Sequence, residues 1–105
     1  MPNLKQKPTL QDFQQYVTKL EHERGFIHQT VLEKCLLLGE EIGELFKSVR
    51  KSQLIKIDEN SKVKDIGDEL ADIFIYLCAI ANRFDINLDQ AFRQKEEFNK
   101  IRRWE

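Results

Sequence analysis

Along most of this chain the apolar residues recur at intervals of three and four. That spacing gathers them on one face of a helix, and no stretch shows the two-residue alternation of a strand. Four helical segments are predicted. The first is capped by Thr9 and runs to about Arg24, with Leu10, Phe13, Val17 and Leu20 on one face and Gly25 as its stop. The second, about Gln29 to Lys51, carries Leu32, Cys35, Leu38, Ile42, Leu45, Phe46 and Val49. Ser52 to Ser61 reads as a connecting loop with cap chemistry at its end. The third, about Lys62 to Phe84, carries Ile66, Leu70, Ile73, Phe74, Leu77 and Ile80. Asn87 with Gln90 three residues on opens a fourth, Leu88 to about Arg103, whose apolar positions are Leu88, Ala91, Phe92, Phe98 and Ile101. Long amphipathic helices joined by short connections imply an all-α, four-helix antiparallel bundle.

No linker or repeat divides the sequence, so its 105 residues are read as one domain, residues 1–105. A core of this size is marginal without staples, which favours an oligomer. The 17 Lys+Arg balance 18 Asp+Glu to a net charge of -1, which argues against a nucleic-acid polymer as partner. The N-terminus is polar, and the apolar run Ile73 to Ala81 is far short of the roughly 20 residues that span a bilayer. Cys35 and Cys78 sit in apolar helical runs and read as buried thiols of a reducing compartment, so no membrane contact and a cytoplasmic location are expected.

The acidic residues are then distinguished by position. The second helix holds Glu40-Glu41-Ile42-Gly43-Glu44 and the third Glu69-Leu70-Ala71-Asp72. Glu41 and Glu44, like Glu69 and Asp72, lie three residues apart, one turn along the same helix face. At about 100° per residue Glu69 falls on the flank of the apolar stripe formed by Ile66, Ile73 and Ile80, and Glu41 lies about 40° from Leu45. Carboxylates held against apolar neighbours must be protonated, paired or metal-bound. Two readings compete. The acids are solvated faces bridged to Lys34, Lys47, Lys51 or Lys64, or they hold a hard divalent cation, for which magnesium is the best match. A di-iron carboxylate bundle would need Glu-x-x-His pairs, and neither His22 nor His28 stands three residues after a Glu.

Glu40-Glu41-x-x-Glu44, followed by Glu69-x-x-Asp72 within Asp68-Glu69-Leu70-Ala71-Asp72-Ile73-Phe74-Ile75-Tyr76-Leu77, resembles the EExxE…ExxD signature of the MazG-like, all-α nucleoside triphosphate pyrophosphohydrolases. Lys95-x-x-x-Asn99-x-x-Arg102 is similar to the end of that family's domain, and the likeness covers about residues 26–104. It implies a Mg2+-dependent enzyme, with Mn2+ as a possible substitute, that cleaves the α–β phosphate bond of (deoxy)nucleoside triphosphates to a monophosphate and pyrophosphate. It further implies that Glu41, Glu44, Glu69 and Asp72 are metal ligands, with Glu44 and Glu41 the catalytic acids and Glu44 the candidate for orienting or deprotonating water. Tyr76 would border the base. Lys95, Asn99 and Arg102, which share a helix face, would meet phosphate oxygens, and His28 would touch substrate. The protein would work as a homodimer or homotetramer. The competing reading is a non-catalytic helical module that senses nucleotide or metal.

Overall fold

The computed structural model describes residues 2–54 and 59–102. They form α1 (Leu10–Glu23), α2 (Val31–Leu54), α3 (Glu59–Arg83) and α4 (Leu88–Ile101), with a 3-10 turn at Phe26–His28, and no strand occurs among the described residues. The fold is all-helical, as the periodicity predicts. Thr9 caps α1 reciprocally: its Oγ1 accepts from the Asp12 N–H at 3.1 Å, and the Asp12 carboxylate accepts from the Thr9 N–H at 2.9 Å. Gly25 ends that helix with φ of 74°, a left-handed backbone that favours glycine. Asn87 opens α4, its Oδ1 accepting from the Gln90 N–H at 3.0 Å.

Two boundaries differ from the sequence-based expectation. Thr30 and Glu33 form a second capping box, Thr30 Oγ1 accepting from the Glu33 N–H at 3.1 Å, so α2 begins at Val31 and not at Gln29. The residues before the box tighten into the 3-10 turn. The expected loop from Ser52 to Ser61 is helical at both ends, because no Gly or Pro interrupts it and extending a formed helix costs little. Its centre, residues 55–58, lies outside the described residues, as do Arg103 and Trp104 beyond α4.

The α2–α3 hairpin is the backbone of the fold. Lys34 faces Tyr76 while Glu41 faces Glu69, so each step forward on α2 is matched by a step back on α3, and the pair is antiparallel. Across the C-terminal half of α3 lies α1, and the core sits at that crossing: Val17, Leu20, Cys78 and Ala79 are buried, with Phe13, Phe74, Ile75 and Leu88 packed around them. The Phe13 and Phe74 rings meet edge to face, centroids 5.2 Å apart. Gln14, buried, ties three elements together: its Nε2 donates to Asn82 Oδ1 at 3.0 Å and to the Ile86 carbonyl at 2.8 Å, and its Oε1 accepts from the Leu88 N–H at 2.9 Å.

The expectation of two buried cysteines is half corrected. Cys78 is buried, which pushes its thiol up to about 11, but Cys35 is exposed. Its neighbour Lys34 takes the inward side of α2 and turns Cys35 outward. Leu32, expected in the core, is 70 % exposed and Phe46 68 %, while on α4 Phe92 is 69 % and Ile101 81 % exposed. A single chain therefore leaves apolar stripes of α2 and α4 uncovered.

Candidate metal centre and adjoining cavity

The antiparallel register of α2 and α3 brings Glu41, Glu69 and Asp72 together, with one carboxylate oxygen of each within 4.8 Å of the others. Glu41 and Glu69 are half-buried and Asp72 is exposed. Glu41 shares a hydrogen bond with Glu69. That bond first, then burial and the charges of Asp72, Glu69 and Glu44, push its carboxyl up to about 7. Like charges this close call for a shared proton or a cation between them. Lys34 does not supply one: its ammonium is paired at 2.7 Å with Glu21. Glu69 Oε2 is buried with no hydrogen-bond partner. An all-oxygen donor set with one buried oxygen unpartnered fits a hard divalent cation.

Glu44 stands one turn beyond Glu41, exposed, and close enough for its charge to raise the Glu41 carboxyl, but its oxygens are outside the three-acid cluster. Glu40 is exposed.

A cavity of about 180 Å3 opens beside the acids, with Glu41, Asp72, Glu21, Phe26, Lys34 and Tyr76 among the residues of its wall. Tyr76 is half-buried, and burial, then the charges of Glu41, Asp72 and Glu40, hold its hydroxyl in the protonated form well into the alkaline range. The Lys34 ammonium lies between two rings, 5.2 Å from the Phe26 centroid and 5.7 Å from that of Tyr76. His28, exposed at the end of the 3-10 turn, is absent from the wall of this cavity.

Residues 28–103 match the MazG nucleotide pyrophosphohydrolase domain. The chain belongs to this family. No curated protein matches the chain. The matched span contains the three clustered acids, Glu44, Tyr76 and all of α4.

Within the MazG domain the α4 residues stand apart from the acids. Lys95 and Asn99 line a second, larger groove of about 610 Å3 with Phe74, Leu77 and Ala81 of α3. Those α3 positions lie about 140° or more round the helix from Asp72, but Ile80, which also lines the groove, lies about 20° from Glu69, so the groove runs from the far side of α3 round to the flank of Glu69. Asn99 Oδ1 is buried there without a hydrogen-bond partner, the Lys95 ammonium lies 5.0 Å from the Phe98 centroid, and Arg102 forms the C-cap of α4.

Glu21, Arg24 and Phe26 are not among the residues the sequence singles out, and Lys34 enters there only as a salt-bridge partner for the acids. A signal for Lys34 was present: it stands seven residues before Glu41, two helical turns along the same face. No such signal marks Glu21, whose burial at 5 % exposure follows from α1 crossing α3.

Proposed function

We propose that the protein is a Mg2+-dependent nucleoside triphosphate pyrophosphohydrolase, cleaving the α–β bond of (deoxy)nucleotides to a monophosphate and pyrophosphate. The convergence of Glu41, Glu69 and Asp72 within 4.8 Å, with Lys34 paired to Glu21 instead of to them, carries the reading. These three would hold the cation. When bound, Mg2+ would neutralise phosphate charge, polarise the α-phosphorus oxygens and acidify a bound water.

The chain's own contributions follow from position. Glu44 is exposed, next to the cluster but outside it, so its carboxylate is available to orient the attacking water and accept its proton. Tyr76 offers a half-buried ring face against which a base can stack, and its protonated hydroxyl adds no charge near the phosphates. Four acids on two helices would repel a triphosphate, so cationic groups are needed on the far side of it. Lys95, Asn99 and Arg102 are candidates, supplied by α4 of the same chain or of a second copy. The exposed Leu32 and Phe46 of α2 and Phe92 and Ile101 of α4 supply apolar surface for a homodimer or a dimer of dimers. The absence of a membrane-crossing helix among the described residues fits the proposed setting, a cytoplasmic nucleotide pool.

The test is a panel of nucleoside triphosphates with Mg2+, scored for monophosphate and pyrophosphate, run on wild type and on Glu41→Gln and Glu69→Gln with the helical circular dichroism monitored. Loss of pyrophosphate release in both folded variants is expected. Turnover at the wild-type rate in both, or binding of nucleotide by the wild type with no hydrolysis, refutes the reading.

A further inference from the structure

The cavity beside the acids has an inner wall that the metal chemistry does not use. Lys34 and Glu21 are charged yet 2 % and 5 % exposed, and both line it. A buried ion pair of this kind seldom improves stability over apolar residues of similar size, so its presence at a cavity wall points to recognition.

Each group has capacity left. An ammonium carries three donors, and that of Lys34 has one carboxylate oxygen and two ring faces around it, so a carbonyl oxygen entering between the rings meets an under-used donor. Glu21 receives both of its cations on one oxygen, Lys34 at 2.7 Å and Arg83 at 3.5 Å, both at Oε2. Its Oε1 remains an acceptor. Arg24, three residues after Glu21, lines the same cavity and adds donors only. Arg83 steadies the arrangement, donating also to the carbonyls of Gln29 at 2.7 Å and of Phe26 and Ile27 at 3.3 Å, which fixes the turn that carries Phe26.

We propose that Lys34, Glu21 and Arg24 form a donor–acceptor–donor edge that selects a 2,4-dioxopyrimidine base, uracil or thymine, in the cavity beside the acids. This rests on the nucleotide reading above and adds the base to it. The complementary edge is carbonyl, ring N–H, carbonyl, which those bases present. Cytosine offers an amino group where Lys34 or Arg24 requires an acceptor, and guanine ends its matching edge in an amino group. Adenine has no carbonyl. The volume of about 180 Å3, below the roughly 300–1,000 Å3 of pockets that enclose whole drug-sized ligands, suits one flat ring with the sugar and phosphates outside.

The experiment separates base selection from hydrolysis. Binding of non-hydrolysable α,β-imido analogues of dUTP and dCTP with Mg2+ is measured by calorimetry, and pyrophosphate release from dUTP, dTTP, dCTP, dGTP and dATP is measured in parallel. The uracil analogue is expected to bind at least about tenfold more tightly than the cytosine analogue, since a site that pairs with a group discriminates strongly against its replacement. In Lys34→Met and in Arg24→Gln that ratio falls to about threefold or less. Arg24 is exposed, so its variant serves even where loss of the buried ammonium disturbs folding. Equal binding of the two analogues, tighter binding of the cytosine analogue, or an unchanged ratio in Arg24→Gln overturns the proposal, while pyrophosphate release from any of the five triphosphates still upholds the hydrolase reading. Selective binding without hydrolysis upholds the base selection and overturns the hydrolase; binding of neither analogue overturns the base selection, and the hydrolase falls with it only if none of the five triphosphates releases pyrophosphate.

Discussion

Replacing Gln14 by Leu keeps a side chain of similar bulk in a position only 7 % exposed and removes three hydrogen bonds at once. The partners left behind are Asn82 Oδ1 near the end of α3, the Ile86 carbonyl in the α3–α4 connection and the Leu88 N–H at the start of α4. Each is part-buried, so each lost bond costs about 1 kcal/mol, the lower end of the penalty for an unsatisfied group, and the three together about 3 kcal/mol. That is a large fraction of the roughly 5–15 kcal/mol by which domains of this size are stable. Since about 1 kcal/mol shifts the melting temperature of a 60–100-residue domain by roughly 4–8 °C, a fall of roughly 12–24 °C is expected. Urea unfolding followed by circular dichroism, at one fixed protein concentration because association adds to apparent stability, reads the change in the midpoint. Gln15→Leu, one residue on and exposed, is the control and should stay within about 0.5 kcal/mol of wild type. A loss below about 1 kcal/mol in Gln14→Leu would show that water replaces the lost bonds and that Gln14 does not tie α1 to the α3–α4 corner.

Glu41 has a folded pKa raised above its ordinary 4.5 to about 7, so the fold favours its protonated form and metal-free stability declines as pH rises between those values. Glu41→Gln removes that decline: without metal the melting temperature of the variant relative to wild type should rise between about pH 5 and about pH 8, whereas a pH-independent difference refutes the assignment. Added Mg2+ should raise the melting temperature of wild type and leave that of the variant nearly unchanged. At Gly25 an added Cβ meets nothing within 4 Å, so Gly25→Ala carries only the strain of a φ of 74° and should cost about 1 kcal/mol by urea midpoint. A loss above about 2 kcal/mol would mean that the turn cannot accept the side chain at all.

Much of the fold is legible in the sequence because helix periodicity and cap chemistry are local. Thr9, Gly25 and Asn87 act where their residue types say they should, through bonds to backbone groups within three residues or through a backbone torsion of their own. The Thr30–Glu33 box is equally local, and it sets the start of α2 two residues beyond Gln29. The loop between α2 and α3 was overdrawn for a different reason: polar composition resembles a break, but without Gly or Pro nothing obliges the helix to stop.

The acids follow the same division. Their spacing put Glu41 beside one apolar stripe and Glu69 beside another, and family resemblance gathered them into one signature. Spacing along a helix says nothing about what faces it. The register of α2 against α3 draws Glu41, Glu69 and Asp72 within 4.8 Å and leaves Glu44 just outside; it also hands Lys34 to Glu21 instead of to the acids. Lys95 and Asn99 share a helix face in the sequence, and only the packing of α4 shows that they line a groove separate from the cavity beside the acids.

The sequence by itself determined the helices, most of their ends and the identity of the acidic residues, because each depends on interactions reaching no more than a turn or two along the chain. The tertiary structure alone decided which acids converge, which lysine is buried and what lines the cavity beside them. Those outcomes depend on how distant segments pack, since charges gain or lose their partners through space.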